Sequence, residues 1–255
     1  MSLFASWLPG DGWEPVTGGE SGAEVYRRGE VFAKCCGVSG VGELAAERGR
    51  VEWLARTSVP GARVLDWIEW AGGAALLTSA VPGVAAVDLP WSDKLVASFA
   101  RGLRALHELP VEECPFERPL AQVVEQAADV VRRSAVTVDF LREDWRATPP
   151  DELLARVRAE QDEFAAKAAG DLVVCHGDAC LPNFLFDPDT LELAGVIDVG
   201  RLGAADRYTD LALVPAQLDD VWSVDARAFF TAYGHPDPDA KRLDFYLLLD
   251  PLTWG

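Results

Sequence analysis

An α+β fold in two lobes is what this sequence predicts, with a small β-rich N-terminal lobe and a larger, mainly helical C-terminal lobe. Three observations carry the prediction. Short extended runs punctuated by glycine fill the first 80 residues, Val81-Pro-Gly83 breaks the pattern, and helical periodicity dominates afterwards. The expected division is therefore 1–81 and 82–255, with a hinge near residue 81 and a cleft between the lobes. At 255 residues, 49% hydrophobic and 25% charged, the chain has enough apolar material for a sizeable core.

Residues 13–35 read as short strands, with Gly18, Gly19 and Gly22 marking a turn. Glu43 to Arg56 reads as a helix, because Leu44, Glu47, Val51 and Leu54 recur at three- and four-residue spacing. Pro60 and Gly61 end it. Arg63 to Trp70 and Ala74 to Ala80 follow as strands joined by Gly72-Gly73, a hairpin signal. From Trp91 onward Leu95, Phe99, Leu103 and Leu106 line one helical face. Further helices are expected at 118–134, 151–168, 207–215, 224–233 and 238–250. Asp171 to Cys175, Phe184 to Phe186 and Leu193 to Ile197 are short apolar strands.

The charge balance is 23 basic against 41 acidic residues, a net −18. Nucleic acid and anionic membranes demand clustered positive charge, so neither is expected as a partner, whereas a cationic small molecule is favoured. Five cysteines with no C-x-x-C pair, and only three histidines, exclude a disulfide framework and a zinc site, leaving reduced thiols. The N-terminus lacks a basic region followed by a long apolar run, and no stretch approaches the length of a membrane span. A cytoplasmic monomer is expected.

The chemistry concentrates in Cys175-His-Gly-Asp-Ala-Cys-Leu-Pro-Asn183 and Val196-Ile-Asp-Val-Gly-Arg201. Phosphoryl transfer from a nucleotide needs one carboxylate to orient the acceptor hydroxyl and oxygen ligands for the metal that bridges the phosphates. Asp178 fits the first role. Asn183, five residues on, and Asp198, at the end of a strand, fit the second, with Mg2+ as the metal suited to hard oxygen ligands. Gly-Asp also caps turns, so the reading rests on the three residues together. Gly200 is expected to give the backbone room to turn, and His176 to brace the loop by hydrogen bonds. Lys34 ends the strand Glu30-Val-Phe-Ala-Lys34 and is placed to reach nucleotide phosphates, fixed by Glu47 or, one turn earlier, Glu43. Gly18-Gly-Glu-Ser-Gly-Ala23, ahead of that strand, suits a loop over the phosphates with Ser21 and the Gly22 backbone as donors. ATP is the expected donor.

His176-Gly-Asp-Ala-Cys-Leu-Pro-Asn183 and Ile197-Asp-Val-Gly-Arg-Leu-Gly-Ala-Ala-Asp-Arg-Tyr-Thr-Asp-Leu-Ala212 resemble the signatures of the aminoglycoside phosphotransferases, a family with a protein-kinase-like two-lobe fold. The resemblance extends over nearly the whole chain. Gly18 to Gly22 with Tyr26-Arg-Arg28, Glu113 to Arg118, and Phe245-Tyr-Leu-Leu-Leu-Asp-Pro-Leu-Thr-Trp-Gly255 look like its streptomycin 3''-phosphotransferase branch. The kanamycin and neomycin 3'-phosphotransferases instead carry an acidic tail where Pro251 stands, and an Arg and often an Asp where Ala216 and Gln217 stand. The resemblance implies that Ser79 and Val81 present hinge backbone groups to adenine. It also implies transfer to the 3''-hydroxyl of streptomycin, conferring resistance.

Streptomycin carries two guanidinium groups, which carboxylates bind in bidentate fashion. The sequence offers Asp139, Glu143, Asp144, Asp219, Asp220 and Asp250 as carboxylate candidates; Asp139, Glu143, Asp144 and Asp250, with Arg201 and Trp254, form the expected substrate-binding set. Two alternatives stand beside this reading. One is transfer to the 3'-hydroxyl of a kanamycin- or neomycin-type aminoglycoside, and the other is a non-catalytic nucleotide- or antibiotic-binding protein.

Overall fold

The computed structural model describes residues 4–16 and 23–255. By its packing the chain forms two compact units, Met1–Leu89 with Pro182–Gly200, and Pro90–Leu181 with Arg201–Gly255. Pro182–Gly200 lies far into the helical half by sequence, yet it packs with the first unit. Its strands Phe184–Phe186 and Leu193–Val196 join Val84–Ala85 in a three-stranded sheet. The Val196 amide also donates to Pro60 O at 3.0 Å.

The first unit is built on a five-stranded antiparallel sheet. Its spatial order is Glu14–Val16, Glu24–Arg28, Val31–Gly37, Gly73–Ser79 and Val64–Trp70. The helix Val41–Leu54 is inserted after the third strand in sequence. Five strands and one helix are what the sequence predicts. Alternation along Val31–Gly37 decides which side chains meet the helix. Ala33 and Cys35 enter one cluster with Leu8, Tyr26, Ala75 and Leu77. Cys36 packs on the opposite face with Leu44 of the helix, Ala74 and Leu76. Lys34, two residues before Cys36, shares that helix-facing side, and Glu47 lies one turn beyond Leu44.

In the second unit the helices Asp93–His107, Leu120–Arg132, Pro150–Ala168 and Ala240–Leu249 supply most of the core. Phe164 and Phe245, both buried, lie with ring centroids 4.3 Å apart among Leu153, Val157 and Leu249. The helix expected over 207–215 is interrupted. Tyr208–Leu211 and Leu213–Trp222 are separate segments, because Pro215 cannot donate back to Leu211 and is tolerated only in a first turn. A strand that the sequence does not advertise, Gly203–Asp206, pairs antiparallel with Leu172–Cys175. All five cysteines are free thiols.

A buried carboxylate organises this unit. Asp210 is fully buried, and its Oδ2 accepts from the His176 amide at 2.7 Å while its Oδ1 accepts from the Gly177 amide at 2.8 Å. His107 Nε2 lies 2.9 Å from Oδ2, and His107 Nδ1 lies 2.7 Å from the Tyr233 hydroxyl. Burial pushes the Asp210 carboxyl up, but the His107 hydrogen bond and charge, with the His176 amide, outweigh it and hold it below its ordinary value. Gly177 has φ +81, and a Cβ there would meet Arg201 O at 2.4 Å, so only glycine fits.

Two expectations follow. Phe164→Ala should destabilise the fold by about 3–5 kcal/mol in urea titration, through the cavity it leaves. Asp210→Ala should cost a similar ~3–5 kcal/mol at neutral pH, because it orphans two amides and a buried imidazole. A carboxyl held low in the folded state stabilises above its unfolded pKa of 3.8 and loses that contribution as pH falls through the folded value. The gap between wild type and Asp210→Ala should therefore close below that pH in a urea series.

Candidate functional site

Lys34 Nζ lies 2.8 Å from Glu47 Oε2 and 2.9 Å from Asp198 Oδ1, all within the first unit. Of the two glutamates open to the sequence, Glu47 is the one that meets Lys34. The Lys34 and Glu47 side chains keep only 19% and 12% of their surface exposed, so this is a shielded ion pair. Burial alone would lower the lysine, but the two carboxylates overcome it and hold its pKa raised, at about 12. Glu47 is also raised, first by burial and then by the neighbouring Asp198, against the pull of Lys34. The opposite pulls have one physical source: two carboxylates share a single ammonium. Lys34 is firmly charged.

Asp198 follows the Leu193–Val196 strand with φ +55, a left-handed conformation that Asp tolerates better than most residues. The turn is thus made at Asp198 and not at Gly200, where the sequence places it. Gly200 matters for space, since a Cβ there would lie 3.3 Å from Glu47 Oε2. Phe184 pairs with Val196, and the Ile197 amide donates to Asn183 O at 3.0 Å. Asn183 and Asp198 therefore stand at the same end of one hairpin. Both offer hard oxygens, Asn183 from a mostly buried position and Asp198 from a side chain still 45% exposed beyond its contact with Lys34. That donor set fits a magnesium ion.

Asp178 lies in the second unit, partly exposed between the buried Gly177 and Ala179, directly after the two amides that Asp210 holds. The Cys180 thiol donates to Asp178 Oδ1 at 3.1 Å. His176 is buried, and its amide bonds to Asp210, in keeping with a bracing residue. Asp210 itself is not singled out by sequence reasoning, although an acidic residue opening the apolar run Leu211 to Val214 signals a buried, partnered charge. His107, Cys175 and Asp210 are the one cluster among the described residues with three metal-ligating side chains close together. Asp210 is filled by hydrogen bonds. The Cys175 thiol, pushed well above its ordinary range by burial, donates to Asp206 O, so the cluster is structural.

Three of the substrate-binding candidates form a cluster of their own. The Arg201 guanidinium stacks on the Trp254 ring, 3.4 Å from its centroid, and donates to Thr253 Oγ1 at 2.9 Å and Thr253 O at 3.2 Å. Asp250 lies 3.6 Å from Arg201 Nη1 and accepts from Trp254 Nε1 at 3.2 Å. Burial pushes its carboxyl up against the pull of Arg201. Asp139, Glu143 and Asp144 lie on exposed turns. Asp144 is already forked by Arg142 at 2.7 and 2.9 Å. At the expected hinge the Ser79 amide is committed to Arg63 O at 2.9 Å, while Val81 lies just past the strand. Ser21 and Gly22 fall outside the described residues.

The model of a phosphotransferase enzyme family matches residues 12–246. A streptomycin 3''-kinase of Streptomyces griseus is 48% identical over 255 residues, covering 96% of this chain and 94% of that protein. An aminoglycoside 3'-phosphotransferase of Streptomyces fradiae is 40% identical over 260 residues, covering 93% and 94%. Among solved structures, the aminoglycoside phosphotransferase APH(3'')-Id of Streptomyces rimosus, in complex with ADP and streptomycin, matches with a TM-score of 0.89. It is 49% identical, over 97% of this chain and 95% of that one. The fold is the kinase-like α+β fold of these enzymes, and the chain belongs to the phosphotransferase enzyme family.

Proposed function

We propose that the protein is an antibiotic-modifying kinase that transfers the γ-phosphate of ATP to the 3''-hydroxyl of streptomycin. The observation that carries the phosphotransferase half is the shielded Lys34 ammonium held between Glu47 and Asp198. A charge kept raised to about 12 and fixed by two partners is preorganised for phosphate oxygens. The likeness to the streptomycin kinase, across 96% of the chain, supports the acceptor.

In this reading Lys34 binds the α- and β-phosphates and Glu47 keeps it aimed. Asn183 and Asp198 would hold the magnesium ion, which supplies charge neutralisation at the phosphate oxygens. Ser79 and Val81 contact the adenine; with the Ser79 amide committed to Arg63, its carbonyl is the group left for that role. Ser21 and Gly22 cover the phosphates. Asp178 orients the acceptor hydroxyl and takes its proton as the new O–P bond forms and the bond to the β-phosphate oxygen breaks. Positioning is the larger part of its contribution, because a loose phosphoryl-transfer transition state asks little of a base.

The excess of acid, −18 overall, draws a polycationic acceptor. Its guanidinium groups are taken by carboxylates among Asp139, Glu143, Asp144 and Asp250, with Arg201 and Trp254 shaping the wall beside Asp250. The protein works in the cytoplasm as a monomer. A second reading, transfer to a kanamycin- or neomycin-type 3'-hydroxyl, draws on the Streptomyces fradiae relative at 40% identity.

Asp178→Asn should lower kcat for streptomycin by about 10²–10⁴-fold, while ATP binding measured by calorimetry stays unchanged. Near-wild-type turnover would remove Asp178 from its assigned role. An acceptor panel of streptomycin, kanamycin and neomycin with labelled ATP, read out by NMR of the product, should give streptomycin 3''-phosphate. Preferential phosphorylation of kanamycin would transfer the assignment to the second reading.

A further inference from the structure

A carboxylate on a loop is a poor positioning device unless something limits its rotation. The terminal torsion of Asp is broad, so Asp178 has little intrinsic preference about which oxygen faces the acceptor. One neighbour that meets it is Cys180, whose Sγ lies 3.1 Å from Asp178 Oδ1. The backbone fixes where the Cβ carrying that thiol sits. The Cys180 amide donates to Asp178 O at 2.8 Å, and the next amide, Leu181, donates to the Gln217 side-chain oxygen at 3.1 Å. The flanking side chains of Ala179 and Leu181 are fully buried. Held on both sides, the Cα of Cys180 has a fixed Cα–Cβ direction, and the side-chain rotamer in the structure turns Sγ to Asp178.

The thiol is also in the correct protonation state. Burial first, and then the Asp178 charge and hydrogen bond, push it well above its ordinary range. It is therefore an S–H group at neutral pH, able to donate and poor as a nucleophile.

We propose that Cys180 is a positioning residue for the transfer reaction: its thiol donates to Asp178 and fixes the carboxylate's rotation so that it meets the acceptor hydroxyl. This rests on the role given to Asp178 above. In phosphoryl transfer orientation dominates the gain, so a donor that fixes the carboxylate's geometry supplies what the reaction needs. Serine, which donates through oxygen, should do the same work, and alanine or valine should not.

The test uses the full chain carrying Cys180→Ala, Cys180→Val or Cys180→Ser, with melting temperatures to confirm folding. Cys180→Ala and Cys180→Val should lower kcat about tenfold, well short of the ~10²-fold cost of a 1 Å misplacement. KM for streptomycin and ATP should stay within about twofold, and Cys180→Ser should restore most of kcat. Wild-type kcat in the alanine or valine variant overturns the proposal. So does a serine variant as slow as valine, which would mark a packing effect. A readout that needs no substrate separates this from the functional assignment. The infrared S–H stretch of Cys180, isolated by difference against Cys180→Ser, should move to higher frequency in Asp178→Ala. If the wild type phosphorylates no aminoglycoside, the functional assignment fails while this band still reports the bond, and a band that does not move overturns the proposal.

Discussion

One ammonium group ties together three distant parts of the first unit. Lys34 meets Glu47, 13 residues on, and Asp198, 164 residues on, each within 2.9 Å. Such a shielded cation needs its partners, because burial without them would drive it towards the neutral form. The requirement also accounts for the path of the chain. Pro182–Gly200 returns to the first unit, pairs its strand Phe184–Phe186 with Val84–Ala85, and delivers Asp198 at the end of its hairpin. Glu47 reaches the same point because strand alternation and helix periodicity put Lys34 and Glu47 on facing surfaces.

The second unit solves the inverse problem with a buried anion. Among the described residues no lysine or arginine is hydrogen-bonded to Asp210; two backbone amides and an imidazole supply its donors. Amides are fixed dipoles, so a carboxylate that uses them also fixes the backbone to which they belong. The residues immediately before Asp178 are thus held by the charge of a helix residue more than thirty positions away, and the glycine between them is the only residue the space allows.

The sequence made much of this legible. Extended runs punctuated by glycine and helical spacing marked the five strands and the inserted helix, and limited the partner of Lys34 to Glu47 or Glu43, because these features are local. What escaped was either non-periodic or decided by tertiary packing. Gly203–Asp206 is a strand of small residues, with neither β-branched side chains nor alternation to announce it. That Asp198 and not Gly200 takes the left-handed conformation is a property of the folded turn. That Asp144 is forked by Arg142, and that Asp250 lies beside Arg201, are facts of side-chain pairing that a list of acidic residues cannot contain. Asp210 stands in a motif that assigns it no role, since only the folded loop reveals which amides it serves.

The Arg201 cluster carries a consequence for molecular selectivity. Stacked on Trp254 and 3.6 Å from Asp250, Arg201 is itself a guanidinium on an aromatic face beside a carboxylate. The protein thereby keeps a covalently tethered competitor for that carboxylate, at the high local concentration that tethering confers. A small, singly charged amine has little with which to displace it. In the function proposed above, Asp250 would therefore yield only to a ligand anchored elsewhere as well, and the internal cation would act as a threshold that favours multivalent guests over simple salts.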